Sequence, residues 1–210
     1  MPYTVALNAK LVHMTSSVVL PAKIVVYPGK QSVLLARLTP EPNQTSSFRY
    51  DCPYQIGAYT GLQPDTSYVY ALPFKRRTGE QMPNCNTNNK DLPGNPHPYF
   101  FSLAKGTPIH ASRAGIVASI RQDLKGNKGP KANYIIVYHA DGSYAWYQNL
   151  KHESVAVRIG QQVAEGDLLS YYGGTKQNAG FYFTVEYPGA IYPIAVPAVF
   201  RVDDKIVRFH

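Results

Sequence analysis

Apolar and polar residues alternate in short runs along the first third of the chain. A period of two places successive side chains on opposite faces of a β-strand, so each run predicts one strand. The predicted strands cover residues 5–12, 18–20, 22–27, 32–38, 47–57 and 68–74. Turn segments at 28–30, 39–43 and 64–66 separate several of them. Short strands at this spacing predict a small N-terminal β-sandwich over residues 1–74.

The same two-residue period returns in the C-terminal half. Asp141-Gly142 lies between two alternating runs, which is a strong hairpin signal. Further hairpins are predicted over residues 159–169 with turns at 160 and 166, and over 199–209 with a turn at 203–204. We expect the last of these to cover an exposed sheet edge. The pattern therefore predicts an all-β chain.

Residues 75–98 differ in composition from both flanks. They are rich in proline and asparagine and poor in apolar residues, which is typical of a long loop or linker. We therefore divide the chain into an N-terminal domain at 1–74, a linker at 75–98 and a second domain at 99–210.

The balance of charges narrows the classes of partner. Lys and Arg total 21 against 13 Asp and Glu, a net charge of +8, which favours an anionic partner. No basic helix or aromatic nucleic-acid motif accompanies this charge, so we expect no nucleic-acid binding. No apolar run approaches the length of a membrane span, and residues 1–4 lead directly into an alternating strand without a signal peptide.

Several hydrolytic chemistries find no support in the sequence. It contains no Gly-x-Ser-x-Gly elbow, no phosphate-binding glycine loop and no cysteine with a convincing histidine partner. Asp203 and Asp204 are adjacent on a predicted turn, whereas a glycosidase needs two carboxyl groups that face each other across a cleft.

Three short pieces of the second domain carry a family resemblance. They are Tyr-Gln-Asn-Leu at 147–150, the predicted hairpin at 159–169, and Tyr-Phe-Thr-Val-Glu-Tyr at 182–187. Together they resemble the lysostaphin-type, or LytM-domain, zinc endopeptidases, which cut peptidoglycan cross-links. In that family a similar hairpin separates a Tyr-x-His-Leu strand from a His-x-His strand. The resemblance implies an antiparallel β-sheet or open barrel over 99–210, in which residues 106–117 resemble the family's opening hairpin with its bend at 114–115. The N-terminal runs are similar to a β domain that precedes the peptidase module in one bacterial branch.

The resemblance also implies that the family's chemistry is missing. Its two catalytic histidines fall on Asn149 and Tyr182, and its zinc ligands fall on Pro96, Phe100 and Thr184. Proline and phenylalanine have no side-chain donor for zinc, and a neutral threonine hydroxyl is a poor ligand. Without a metal there is no activated water. We therefore expect no cofactor and no peptidase activity.

The remaining histidines do not rebuild such a site. His97 lies one residue from a ligand position, and in the shifted register Phe101 would take the carboxylate position. His110 falls on a scaffold strand rather than a ligand position, and His139 matches a family histidine outside the zinc shell. We prefer structural roles for both. An active peptidase with a rearranged site is the alternative.

The same alignment predicts a binding groove with aromatic faces and uncharged polar groups. Its residues are Phe100, Trp146, Tyr147, Asn149, Tyr182 and Thr184. Such a surface can hold a peptide or a glycan by stacking and amide contacts. The alternative is that these alternating aromatic residues belong to the core.

The resemblance implies a role in the cell envelope. We expect a catalytically inactive LytM-type protein, periplasmic or secreted, that binds peptidoglycan or a cell-wall hydrolase as a regulator or scaffold. The alternative from another class is a structural module of a surface assembly without wall binding. Outside the cytoplasm, Cys52 and Cys85 in their turn-rich surroundings suit a structural disulfide, and two unrelated free thiols are the other interpretation.

Overall fold

The computed structural model describes residues 2–27, 29, 32–61, 64–76, 85–86, 98–125, 132–174, 180–190 and 192–209, with only the backbone described at 85–86. Within these ranges the secondary structure consists of strands, which confirms the all-β prediction. No helix long and apolar enough to cross a bilayer occurs in them. The strands are β1 (Tyr3–Val12), β2 (Met14–Ser16), β3 (Ala22–Val26), β4 (Leu38–Pro40), β5 (Ser47–Asp51), β6 (Tyr54–Ile56), β7 (Val69–Ala71), β8 (Cys85–Asn86), β9 (Tyr99–Phe101), β10 (Pro108–His110), β11 (Gly115–Arg121), β12 (Tyr134–Tyr138), β13 (Tyr144–Gln148), β14 (Gln162–Val163), β15 (Leu168–Tyr171), β16 (Phe181–Tyr187), β17 (Ile194–Ala195), β18 (Val199–Val202) and β19 (Lys205–Val207).

The chain forms two compact units. The first contains Met1–Leu62 with Pro188–Pro193, and the second contains Gln63–Tyr187 with Ile194–His210. In the first unit the long strand β1 pairs antiparallel with β3, β5 and β6, and β2 pairs with β4. Thr4 is buried in this unit, and its hydroxyl donates to the carbonyl oxygen of Gly57 at 2.8 Å.

The second unit is built on an eight-stranded sheet. Its strand order is β14-β11-β12-β13-β16-β9-β8, with β17 added beside β16. The unit also contains the pair β10-β15 and the sheet β19-β18-β7. The strands β12, β13, β16 and β9 are consecutive neighbours, so their side chains share two common faces.

One face of this sheet carries the core. Odd-numbered residues of the central strands are buried there because successive residues of a strand point to opposite sides. Phe101, Tyr147, Phe181 and Phe183 are completely buried, and Phe200 of β18 packs against Phe183 with ring centroids 5.7 Å apart. Close edge-to-face rings of this kind add about 0.5–1.5 kcal/mol each to the burial of their area.

Two predicted hairpins are confirmed. The pair β12-β13 turns at Asp141-Gly142, and β18-β19 turns at Asp203-Asp204. Asp141 holds the first turn, since its Oδ1 accepts from the Ser143 amide at 3.0 Å and its Oδ2 accepts from Arg113 at 2.8 Å. The guanidinium of Arg113 also lies 3.9 Å from the Tyr68 ring centroid, which is a close cation–π contact.

Two other predicted hairpins are wrong. The strands within 106–117 do not pair with each other, because β10 pairs with β15 while β11 pairs with β12 and β14. The two strands within 159–169 also do not pair with each other, because β14 pairs with β11 and β15 pairs with β10. Gly115 permits a close approach between strands, since a Cβ there would lie 2.5 Å from the carbonyl oxygen of Tyr138.

Some other predicted strands are absent or divided, because an alternating run forms a strand only where a neighbouring strand pairs with it. Residues 18–20 and 32–37 are described without regular strand structure, and 47–57 is divided into β5 and β6 around Pro53. Proline has no backbone N–H, so it interrupts a ladder.

The compact units also differ from the predicted domain limits. The strand β7, which we assigned to an N-terminal domain at 1–74, lies in the second unit and pairs in parallel with β18. In the segment predicted as a linker, β8 pairs with β9. The partner of β7 lies far away in the sequence, and β8 lies in a segment without regular alternation. A local pattern of apolar and polar residues therefore predicts neither pairing.

Candidate functional site

The face of the large sheet opposite the core carries most of the predicted site. We call it the site face and define it by the even-numbered residues of β9, β12, β13 and β16. They are Phe100, Tyr134, Ile136, Tyr138, Tyr144, Trp146, Gln148, Tyr182, Thr184 and Glu186. Phe100, Trp146 and Tyr182 are half-buried, whereas Thr184 and Glu186 are buried. The face therefore combines accessible aromatic rings with a buried polar floor.

Two of the predicted site residues form a direct cross-strand pair. Tyr182 lies opposite Phe100 of β9, and their ring centroids are 5.1 Å apart with the rings edge to face. On its other side Tyr182 lies opposite Gln148. The Phe100 ring also covers Gly180, where an added Cβ would overlap the ring. Two packed aromatic rings thus occupy the positions at which the resemblance implies a zinc ligand and a catalytic histidine.

Trp146 and Thr184 form the next row of the site face. They lie directly opposite each other, and the Trp146 ring packs against Tyr134 with centroids 5.0 Å apart. The Trp146 Nε1–H donates to Oε2 of Glu186 at 3.0 Å. Burial raises the pKa of the Glu186 carboxyl, and its hydrogen bonds from Trp146 and Tyr144 act against that rise.

Glu186 is a site-face residue that the sequence interpretation passed over. It is only 8% exposed, so the floor of the face contains a buried carboxyl group. A signal was available, because Glu186 follows Thr184 by two residues on a predicted strand and must share its face. Buried ionisable groups in a sheet face mark candidate functional positions.

Tyr147 does not line the site face. It follows Trp146 directly, so the period of two turns its side chain into the core, where it is completely buried. Its hydroxyl oxygen accepts from the Ser112 amide at 2.9 Å, and its ring packs 5.2 Å from that of Phe183. Burial raises the pKa of Tyr147. Its inclusion in the predicted groove is therefore corrected.

Asn149 lies just beyond the end of β13 and is 1% exposed. Its φ is 64°, a left-handed conformation that asparagine adopts more readily than most residues. Its Nδ2 donates to the Gly180 carbonyl oxygen at 2.6 Å. The amide that replaces the family's histidine thus holds the start of β16 and presents little surface to a ligand.

The residues present do not fit a zinc site of the family's type. Phe100 has no donor atom, and Thr184 offers one neutral hydroxyl on a buried position. Across the described ranges no cluster of three or more His, Cys, Asp and Glu residues could hold a metal. Pro96 and His97 lie outside those ranges.

The two histidines for which we expected structural roles, His110 and His139, are both largely buried. His139 is 1% exposed with Nδ1 at 2.9 Å from the Ala114 carbonyl oxygen, and burial lowers its pKa to about 4. His110 is 9% exposed, with Nδ1 at 2.9 Å from the Gly166 carbonyl oxygen, and burial lowers its pKa. The Nδ1 atom of each imidazole is thus within hydrogen-bond distance of a backbone carbonyl oxygen.

Cys52 is half-buried, and among the described side chains none forms a disulfide with it. The side chain of Cys85 lies outside the part of the structure that is described. The pairing of these two cysteines therefore stays a prediction.

One protein-family profile matches the part of the chain that carries the site face. Residues 99–191 match the sequence profile of Peptidase family M23. No curated protein sequence is significantly similar to the chain. The match begins with β9 and includes every described residue of the site face.

Three solved structures illustrate the likeness in fold. The antimicrobial peptidase lysostaphin from Staphylococcus simulans is 19% identical over 51% of this chain and 43% of that chain, with a TM-score of 0.40. A zinc-containing peptidase from Vibrio cholerae is 19% identical over 61% of this chain and 39% of that chain, with a TM-score of 0.43. Csd3 from Helicobacter pylori is 18% identical over 68% of this chain and 35% of that chain, with a TM-score of 0.44.

The chain spans less than half the length of each of these three proteins. At such identities and TM-scores the likenesses carry no argument about activity or partners. The family match instead rests on residues 99–191 and on the sheet that they build. Residues 99–191 of the chain therefore match Peptidase family M23 in sequence, and they include every strand of the site face.

Proposed function

We propose that this protein is a catalytically inactive member of the M23 family that binds peptidoglycan or a cell-wall hydrolase, and that it acts as a regulator or scaffold in the cell envelope. The observation that carries the proposal is the Phe100–Tyr182 ring pair. It occupies two positions at which the family resemblance implies a zinc ligand and a catalytic histidine.

The groups on the site face support the proposed loss of metal chemistry. A peptidase of this type needs at least three protein ligands around zinc and a bound water of lowered pKa. Phe100 supplies no ligand, Asn149 is bonded to Gly180, and Thr184 is a single neutral hydroxyl. One further carboxyl group, that of Glu186, is bonded to Trp146 and cannot make up a ligand set alone.

The same face retains features that suit binding. Half-buried rings of Phe100, Trp146 and Tyr182 lie on three adjacent strands. Gln148 lies between Tyr134 and Tyr182 and provides an uncharged amide at the same level. Aromatic faces beside amide groups bind sugars and peptides by stacking and hydrogen bonding, which favours peptidoglycan as the first partner to test.

The test is co-sedimentation of the full chain with purified sacculi. We expect wild-type protein to sediment with sacculi and Tyr182→Ala to be lost from the pellet. Tyr171→Ala is the matched control, because Tyr171 is an exposed tyrosine of β15 in the same unit. Thermal unfolding of each variant would verify that both remain folded at the assay temperature.

Two further measurements separate the alternatives. Elemental analysis and release of dye from labelled sacculi should show neither stoichiometric zinc nor hydrolysis, and either of them would overturn the inactive assignment. Absence of the wild-type chain from the sacculus pellet would exclude wall binding. A pull-down of a cell-wall hydrolase by the same site face would then identify the other partner, and failure of both would favour a structural module of a surface assembly.

A further inference from the structure

One edge of β1 in the first unit has no partner strand over its C-terminal half. Asn8–Val12 of β1 pairs with β5 on one side. On the other side β3 pairs only with Tyr3–Leu7. Among the described residues no strand continues that side beyond Leu7. In the same register Leu20 and Pro21 would lie beside Ala9 and Asn8, but neither residue belongs to a strand.

Backbone bonds elsewhere in β1 show which groups are free at this edge. The amide of Ala6 donates to the carbonyl oxygen of Pro53, and the carbonyl oxygen of Pro2 accepts from the Gly57 amide. The backbone N–H and C=O groups of the even-numbered residues of β1 therefore point towards β5 and β6. Successive peptide groups alternate sides in a strand. The N–H and C=O groups of Ala9 and Leu11 therefore point to the open side, and no backbone bond to them occurs in the described part of the chain.

The open edge adjoins two cavities. One has a volume of 520 Å³ and is lined by Asn8, Ala9 and Lys10 of β1 together with Leu20 and Pro21. The second, of 220 Å³, lies on the odd-numbered face of β1 and is apolar. Its lining includes Leu20, Leu35, Leu38, Phe48 and Tyr50. An added strand at this edge would thus find room for its backbone and an apolar cleft for alternate side chains.

The even-numbered face of the same edge is basic. Lys10 lies directly opposite Arg49 of β5, and both are exposed. Like charges in this arrangement repel each other. Asp51 lies one row away, opposite Asn8, yet no carboxylate in the described residues lies within ion-pair distance of Lys10 or Arg49. A carboxylate opposite Lys10 on an incoming strand would relieve this repulsion.

We propose that the edge Asn8–Val12 is a docking site for an extended segment of another protein, in which acidic and apolar side chains alternate. The segment adds a strand beside β1, bonded to the peptide groups of Ala9 and Leu11. Its acidic side chains lie beside Lys10 and Arg49, and its apolar side chains enter the cleft beside Phe48 and Tyr50. A second copy of this chain is a poor occupant, because antiparallel pairing of two such edges would bring Lys10 near its own counterpart.

The test uses the full chain and a short synthetic peptide that alternates valine with glutamate. We expect binding by fluorescence anisotropy, with protection of the Ala9 and Leu11 amides from hydrogen exchange in the complex. In the free chain those two amides should exchange quickly, while the Lys10 and Val12 amides, which face β5, exchange slowly. The same peptide N-methylated at alternate amides should not bind, since it cannot complete the ladder.

Charge variants complete the test. Lys10→Glu should weaken binding by about tenfold or more because the cross-strand charge pair becomes repulsive. Lys105→Glu makes the same charge change at an exposed turn of the second unit and should leave affinity unchanged. Replacing glutamate by lysine in the peptide should abolish binding to the wild-type chain.

Three results would overturn the proposal. They are equal binding of the N-methylated peptide, equal loss of affinity in Lys10→Glu and Lys105→Glu, and slow exchange of the Ala9 and Leu11 amides in the free chain. Protection of those amides that rises with protein concentration would assign the edge to a second copy instead. These outcomes are independent of sacculus binding by the site face.

Discussion

The side-chain amide of Asn149 donates a hydrogen bond to the backbone carbonyl oxygen of Gly180 at 2.6 Å. This bond joins the end of β13 to the start of β16, the two strands that carry Trp146 and Tyr182. Where the family resemblance implies a catalytic histidine, this chain has a buried structural bond. The position therefore contributes to the stability of the site face.

Asn149→Ala should destabilise the protein. The buried Gly180 carbonyl loses a donor and alanine is strained at a φ of 64°, which together cost about 1–4 kcal/mol. Denaturant unfolding measures the change. Asn43→Ala is the matched control, because Asn43 has a φ of 60° on an exposed turn. Equal destabilisation by both variants would show that the Gly180 bond contributes nothing.

Restoring one family residue should not restore chemistry. We expect Asn149→His to bind no stoichiometric zinc and to release no dye from labelled sacculi, because Phe100 and Thr184 still provide no adequate ligand set. Elemental analysis and the dye assay measure these outcomes. Hydrolysis by this single variant, abolished by a chelator, would contradict the assignment of the ligand positions.

Gly180→Ala tests the contact beneath the ring pair. An alanine Cβ would overlap the Phe100 ring, so the ring must move, at an expected cost of about 1–3 kcal/mol. The double variant Phe100→Ala/Gly180→Ala should recover part of that loss, since the overlap is removed. A double-mutant cycle of unfolding free energies gives the coupling. Strict additivity of the two changes would contradict this packing.

His139 should make stability depend on pH. Burial lowers its pKa to about 4 from an ordinary value of 6.5, so the unfolded chain binds more protons between these values. Stability is therefore fully present above pH 6.5 and falls as pH decreases towards 4, by on the order of 3 kcal/mol. His139→Gln should remove this contribution, as unfolding free energies across that window would show.

The buried carboxyl group of Glu186 changes the pH dependence of stability in the opposite direction to His139. Burial raises the pKa of its carboxyl group, so its contribution is present at low pH and is lost as pH rises through the raised value. The difference between wild type and His139→Gln isolates the histidine, because Glu186 is common to both. An unchanged pH profile in His139→Gln would contradict the proposed role of the buried imidazole.

Local pattern was sufficient for several features of this protein. Alternation with Asp141-Gly142 and Asp203-Asp204 predicted two hairpins that the structure confirms, because a short turn and its flanking strands are decided by neighbouring residues. The residues at 147–150 and 182–187 were also sufficient to indicate the family. The expectation that Asn149 and Tyr182 take the places of its histidines also came from the sequence alone.

Tertiary structure decided what those residues contact. Pairing of β10 with β15 and of β7 with β18 joins segments far apart in sequence, which a period of two cannot specify. The strand neighbours also separate Tyr147 from the groove, bring Glu186 under Trp146 and bond Asn149 to Gly180. The sequence by itself determined that strands form and which side chains alternate along them, since that depends on local sterics. Which strands lie side by side was decided only by burial of the shared core, because that free energy depends on all of the chain at once.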